Sequence, residues 1–257
     1  MQRSHDFQRV YVWEQPVRWF HWINALCVVA LGVTGYLIAH PPAFMNAGEA
    51  TDSYWFGKLR FTHFLTAYVF LANFLFRLYW AVAGNKYANW RNFFPISKRQ
   101  LQQVWAVFKV DILQSTDKPV HVLGHNAVAY FTYMGTGLLT LFMVVSGFAL
   151  YAPMSGSWLP HLFDWVVPLF GSEQNLRLFH YAGLWLFSVF IVIHVYLVFY
   201  HDYVEGHGVL SSIVGGWKFM EKGKIEAEEA SGISEFPLRR TAAPKPAPGV
   251  APKTPKA

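Results

Sequence analysis

Residues 177–201 read RLFHYAGLWLFSVFIVIHVYLVFYH and decide the fold. Two histidines, His180 and His194, interrupt a run that is otherwise almost wholly apolar and long enough to cross most of a bilayer core of about 30 Å. Because 14 residues separate them, a helix with about 3.6 residues per turn places both imidazoles on one face, about 21 Å apart. An unpartnered imidazole in hydrocarbon costs about 2 kcal/mol or more, so the pair predicts a functional site within a membrane.

The composition places the chain in the membrane class. Of its 257 residues 54% are hydrophobic and only 14% are charged, whereas soluble domains average about 25% charged residues. Apolar runs predict four spanning helices, at about 17–39, 59–83, 126–150 and 176–200. We therefore predict an all-α integral membrane protein, a four-transmembrane-helix bundle within residues 1–225, followed by a disordered Pro/Ala/Lys-rich tail at 226–257.

The first apolar run is interpreted as a retained helix. It is longer than the apolar core of a signal peptide, has no convincing small-residue cleavage site and contains His21. Cys27, the single cysteine, lies in the same run. One cysteine excludes an internal disulfide and a Cys-x-x-Cys-His haem attachment, so any haem would be bound non-covalently.

Basic residues predict the orientation of the bundle. Of the 21 lysines and arginines, 17 lie in or beside the N-terminal tail, the connection at 84–125 and the segment after residue 201. Positively charged segments stay in the cytoplasm, so we predict that both termini are cytoplasmic. The net charge of +6 would attract anionic membrane lipid. No compact recognition motif accompanies it, so we predict no nucleic-acid partner.

The sequence also predicts the character of three segments outside the spans. Within the 84–125 connection, apolar residues from Leu101 to Ile112 recur at helical spacing and predict an amphipathic helix on the inner leaflet. Residues 1–15 are predicted to be a short polar tail, and 209–220 a weakly amphipathic piece.

Four histidines lie inside the predicted spans, at two depths. His21 and His194 are near the cytoplasmic ends of the first and fourth spans, and His63 and His180 near the outer ends of the second and fourth. Two six-coordinate haems need this arrangement, with His63 and His180 on an outer haem and His21 and His194 on an inner one. Zinc fits poorly, because neither level supplies an obvious cysteine or carboxylate. Interhelical hydrogen bonds, or a proton relay in a haem-free transporter, remain as alternatives.

Other residues near the histidines are candidates by depth alone. Two arginines at each level could contact haem propionates: Arg60 and Arg177 at the outer level, Arg18 and Arg77 at the inner level. Arg77 could instead snorkel to lipid headgroups. Gly32 and Gly35 remove side chains from one face of the first span, which suits either close helix packing or clearance for a flat ligand.

Two stretches carry a family resemblance: Arg18–Gly35, RWFHWINALCVVALGVTG, and Arg177–His194, RLFHYAGLWLFSVFIVIH. They resemble the signature stretches of the b-type cytochrome subunit of membrane-bound nickel–iron hydrogenases, over about residues 5–225. The resemblance implies two haem b groups and a bacterial inner-membrane anchor for a periplasm-facing hydrogenase with a large nickel–iron subunit and a small iron–sulfur subunit. The related formate dehydrogenase cytochrome b subunit is similar in helix count and haem-ligand layout, and is the alternative.

The same resemblance implies a path for electrons. Electrons from dihydrogen oxidation would pass to the outer haem, then to the inner haem, then to quinone near the cytoplasmic face, which would generate a proton-motive force. A quinone pocket combines apolar walls with proton-exchanging groups, and the candidates are His201, Asp202, Tyr203 and Arg77. A single cysteine cannot supply a four-thiolate nickel–iron centre. Dihydrogen cleavage is therefore not expected on this chain, although quinone reduction is possible.

Overall fold

The computed structural model describes residues 7–43, 54–85, 88, 127–205 and 208–223. The described elements are β1 (Phe7–Tyr11), α1 (Gln15–Ala39), α2 (Trp55–Ala83), α3 (Ala127–Tyr151), α4 (Trp158–His161), α5 (Val166–Leu169), α6 (Glu173–Glu205), α7 (Val209–Gly215) and β2 (Trp217–Glu221). A 3-10 turn at Ala152–Met154 follows α3. The predicted amphipathic helix in the 84–125 connection and the tail at 226–257 lie outside the described residues.

Among the described residues, four helices are long and apolar enough to cross a membrane, as the sequence predicts. They cover Gln15–Ala39, Trp55–Ala83, Thr132–Met154 and Glu173–Tyr200. Leu26, Val82 and Val192 are each at least 70% exposed on these helices. Apolar surface of this kind is compatible with lipid but costly in water.

The four long helices surround a common interior. Around the bundle they follow the order α1, α2, α3, α6, because α1 packs against α2 and α6, while α3 packs against α6 and α2. Each helix contributes to the central apolar cluster of Cys27, Phe70, Val144, Phe148 and Phe187. In this order α2 faces α6 across the bundle, and α1 faces α3.

The two ends of the bundle are built differently. We call the end that carries β1, α7 and β2 the sheet end. The opposite end, formed by residues 152–172 with α4 and α5, is the loop end. There Ala149, Val166 and Leu176 form a second buried cluster that fixes the loop to α3 and α6.

The two-stranded sheet corrects the all-α prediction. β1 pairs antiparallel with β2, so that Tyr11 lies opposite Trp217 at one end of the ladder. The Tyr11 and Trp217 ring centroids are 4.9 Å apart, and the Arg9 guanidinium lies 4.4 Å from the Trp217 ring centroid. The predicted polar tail and weakly amphipathic piece therefore pair with each other. Local periodicity did not indicate this pairing, because about 200 residues separate the strands.

Glu14 connects the start of α1 to the end of α2. Its carboxylate accepts hydrogen bonds from Trp80 Nε1 at 3.2 Å and from the Asn85 backbone N–H at 3.1 Å. The Asn85 side-chain amide in turn donates to the Val12 carbonyl oxygen at 3.1 Å. Pro16 occupies the first turn of α1, where its missing N–H leaves no hydrogen bond unmade. The sheet end is thus joined to the helices by polar contacts.

Gly216 is required where α7 turns into β2. It has φ of 86° and its carbonyl oxygen accepts from the Val12 and Trp13 N–H groups. A Cβ atom there would lie 2.7 Å from the Trp13 carbonyl oxygen.

We expect Gly216→Ala to lower the free energy of unfolding by about 1–3 kcal/mol, measured by thermal unfolding in detergent. Gly215→Ala, whose Cβ would meet nothing within 4 Å, is the control, and equal destabilisation by the two changes would contradict this account.

Candidate functional site

A cavity of about 1100 Å³ lies among the four long helices toward the loop end. Its walls are mainly aliphatic and aromatic, and its charged residues and histidines are Arg60, His63, Glu173, Arg177 and His180. Cofactor sites commonly have volumes of about 300–1,000 Å³ with apolar walls and a few placed polar groups. This loop-end cavity therefore has the size and chemistry for a large, mostly apolar cofactor.

The two histidines of the loop-end cavity are held through the same ring nitrogen. His63 Nδ1 lies 2.8 Å from the hydroxyl oxygen of Thr34 on α1. His180 Nδ1 lies 2.8 Å from the hydroxyl oxygen of Ser146 on α3. Because α2 faces α6 across the bundle, the two imidazoles approach the cavity from opposite sides, each supported by a neighbouring helix. Nε2 is the nitrogen that each ring has available for a ligand.

Glycines give these imidazoles their space. A Cβ on Gly35 would lie 3.3 Å from His63 Cε1, and one on Gly147 would lie 3.1 Å from His180 Cε1. A Cβ on Gly32 would instead lie 3.3 Å from Leu184 Cδ1 on α6. Both uses that the sequence left open are therefore present: Gly32 allows close packing against α6 and also lines the cavity, and Gly35 leaves room beside a site residue.

The other two histidines form a pair nearer the sheet end. The ring centroids of His21 on α1 and His194 on α6 are 6.4 Å apart, with an interplanar angle of 48°. A metal–imidazole bond is about 2 Å long and a ring centroid lies roughly 1 Å behind the bonded nitrogen, so two axial imidazoles have centroids about 6 Å apart. The spacing of this pair fits two ligands on one metal ion.

His21 also carries an unsatisfied atom. Its Nδ1 is buried and makes no hydrogen bond with any described residue. A buried polar atom of this kind requires an explanation such as an absent ligand or ion. The volume and apolar lining of the loop-end cavity fit a haem beside His63 and His180, and the spacing of the His21–His194 pair fits two imidazoles on one haem iron.

Comparisons with known proteins identify the family of this chain. The family described as prokaryotic cytochrome b561 matches residues 12–216, which contain all four histidines and the four spans. The chain belongs to this family. It is therefore a multi-pass membrane protein of the b-type cytochromes, whose prosthetic group is haem b.

Several curated relatives of this cytochrome have closely similar lengths. A protein of Azotobacter vinelandii is 41% identical over 219 residues, covering 82% of this chain and 89% of the relative. One of Cupriavidus necator is 38% identical, covering 83% and 88% respectively. Both are named probable Ni/Fe-hydrogenase B-type cytochrome subunit. The Escherichia coli K12 relative, named probable Ni/Fe-hydrogenase 1 B-type cytochrome subunit, is 34% identical over 90% of this chain and 99% of its own. The resemblance predicted from the sequence is confirmed.

The four candidate arginines of the cytochrome divide by level. Arg60 and Arg177 both line the loop-end cavity, where Arg60 contacts the Met154 sulfur and Arg177 pairs with Glu173. At the sheet end, Arg18 donates to the Val214 carbonyl oxygen. Arg77 is buried, and both of its terminal nitrogens lie 3.3 Å from the Ala88 carbonyl oxygen. The arginines near the loop end are thus the better placed for a cofactor.

The quinone candidates on α6 have different surroundings. Asp202 Oδ1 accepts from the Leu210 N–H at 3.1 Å, so this carboxylate supports the first turn of α7. Tyr203 is 91% exposed on the last turn of α6. His201 lies on the same helix, and its side chain is outside the described part of the chain.

Sequence reasoning missed Thr34, Ser146 and the role of Gly147. A signal for them was present, since residues 33–36 read VTGY and residues 145–148 read VSGF. Both copies place a hydroxyl and then a glycine against a histidine of a neighbouring helix. A search for this repeat would have linked α3, which has no histidine within its span, to the site.

Proposed function

We propose that this chain is the membrane anchor and electron-transfer subunit of a nickel–iron hydrogenase and passes electrons through two b haems to quinone. The observation that carries the proposal is the presence of two imidazole pairs at two levels of one apolar bundle. The names of the relatives, which cover nearly the whole spanning region, support the hydrogenase partner.

The proposal assigns one pair of histidines to each haem. His63 and His180 would hold the outer haem across the loop-end cavity, while His21 and His194 would hold the inner haem between α1 and α6. Haem with two axial histidines supplies a one-electron carrier with no open position for dioxygen. The apolar walls around the cavity would exclude water and bind the macrocycle.

The two ends of the bundle would face different compartments. The sheet end would face the cytoplasm, since the predicted cytoplasmic segments carry most of the basic residues. The loop end would then face the periplasm of a bacterial inner membrane, where small iron–sulfur and large nickel–iron subunits would dock. Quinone would accept electrons near the His21–His194 pair. The proposal keeps four candidates for the quinone site: His201, Asp202, Tyr203 and Arg77.

Arg60 and Arg177 would stabilise the outer haem electrostatically. A nearby cation stabilises the reduced haem more than the oxidised haem, because the reduced haem carries one more electron. We expect Arg177→Gln to lower the midpoint potential of one haem by roughly 1 kcal/mol, or about 40 mV, in a potentiometric titration of the purified protein. Lys58→Gln removes a cation at the same end of the bundle but outside the cavity lining, and should leave both potentials unchanged. Unchanged potentials in Arg177→Gln would contradict the propionate role.

The hydrogenase assignment is tested by purification in mild detergent. A tagged chain should bring down a large and a small subunit, with nickel and haem b in the same complex. Recovery of formate dehydrogenase subunits without nickel would contradict the hydrogenase partner and identify formate dehydrogenase in its place. The haem proposal would be unaffected.

The third alternative is a haem-free transporter that uses the histidines as a proton relay. Transmembrane proton relays use chains of Asp, Glu and His residues, and Glu173, in the first turn of α6, is the only carboxylate among the residues of the four candidate spans, so the histidines would have to carry almost the whole relay. Reduced-minus-oxidised spectra of membranes distinguish the two functions, because the proposal requires a b-type absorption change.

A further inference from the structure

Thr34 and Ser146 touch the histidines of the loop-end cavity without belonging to the proposed ligand set. Thr34 is buried on α1 and Ser146 is buried on α3. A hydroxyl in either span could be satisfied by its own helix alone. Each hydroxyl nevertheless also lies 2.8 Å from an imidazole Nδ1 of a neighbouring helix.

The direction of these hydrogen bonds follows from the backbone contacts. The Thr34 hydroxyl donates to the Ala30 carbonyl oxygen at 2.6 Å, and the Ser146 hydroxyl donates to the Phe142 carbonyl oxygen at 2.6 Å. A hydroxyl has one hydrogen, so each oxygen can only accept from the imidazole. Both imidazoles therefore carry their proton on Nδ1, and each Nε2 keeps a lone pair for a metal.

Donation from Nδ1 affects the iron as well as the imidazole. A ligand imidazole that donates its Nδ1 proton to an acceptor becomes more basic and favours the ferric state. The same bond also fixes the ring orientation and the tautomer.

We propose that Thr34 and Ser146 are positioning residues that hold His63 and His180 in the iron-binding tautomer and lower the potential of the outer haem. This inference rests on the proposed haem ligation. Because the hydroxyls come from α1 and α3, all four long helices contribute to the outer site.

The test is a potentiometric titration of the purified full chain with Thr34→Val and Ser146→Ala, singly and together. Valine keeps the approximate volume of threonine and removes the hydroxyl. The titration component that is lost in His180→Leu identifies the outer haem. We expect the potential of that component to move upward in each variant and further in the double variant, while the potential of the other component stays in place.

Two further variants separate positioning from packing. Thr34→Ser keeps the hydroxyl and should retain the wild-type potential. Thr66→Val removes a hydroxyl of α2 that lies outside the cavity lining and bonds to the Thr62 carbonyl oxygen of its own helix, and should shift neither component. If Thr34→Val loses the outer haem altogether, retention in Thr34→Ser and Thr66→Val supports the proposal. Loss in Thr34→Val and Thr34→Ser alike overturns it.

Failures of the two proposals are distinguishable. Unchanged potentials in Thr34→Val and Ser146→Ala, with two haems bound, would overturn the positioning role and leave ligation intact. A purified wild-type chain without haem would overturn the proposed function itself.

Discussion

Replacing His180 with leucine is expected to reduce the haem content of the purified protein from two per chain to one. His180 supplies one axial ligand of the outer pair, and leucine cannot bind iron. The pyridine haemochrome assay measures the content, and a redox titration shows which component remains. The remaining component should keep its wild-type midpoint, because the inner pair lies about 20 Å away along α6.

The pairing of the histidines is tested by combining variants. His63→Leu with His180→Leu should lose no more haem than either single change, because both act on the outer site. His180→Leu with His194→Leu should lose both haems, because the two residues belong to different pairs. Retention of one haem in the second combination, or loss of both in the first, would show that the ligands are paired differently.

Gly147→Leu is expected to cause a loss as large as that of a ligand substitution, without removing any ligand. A Cβ at this position would already lie 3.1 Å from His180 Cε1, so the rest of a leucine side chain must displace the imidazole or enter the cavity. Haem content should fall to about one per chain. The measurement is the same haemochrome assay, performed on protein that elutes as a monodisperse complex.

Gly137→Leu provides the matched control on the same helix. A Cβ on Gly137 would meet nothing within 4 Å, so the added side chain extends into open space. Two haems per chain are expected. Equal haem loss in Gly137→Leu and Gly147→Leu would mean that α3 tolerates no added bulk at either position. The loss in Gly147→Leu would then not be evidence for the contact with His180.

The spans and the histidine pairs were predictable from the sequence for a simple physical reason. A bilayer requires long apolar helices, and this requirement is visible in any window of about 20 residues. Once the spans are antiparallel, depth alone places His21 beside His194, and the observed ring spacing of 6.4 Å agrees.

Long-range pairing and short polar contacts were not predictable in the same way. The pairing of β1 with β2 depends on residues about 200 positions apart, and neither strand has a pattern strong enough to identify it. The hydrogen bond that the Asp202 carboxylate accepts from the backbone of α7 was not indicated by local periodicity either. The hydroxyls of Thr34 and Ser146 were overlooked because single Ser and Thr residues are common in membrane helices and usually bond to their own backbone.

The central claim is that each level of the bundle binds one iron through two imidazoles. The most direct test is electron paramagnetic resonance of the oxidised, purified wild-type chain, combined with haem quantification. The account predicts two haem b per chain, both giving low-spin ferric signals, because both axial positions are filled by histidine. A single haem per chain, or a high-spin signal that accounts for one of two haems, would contradict it.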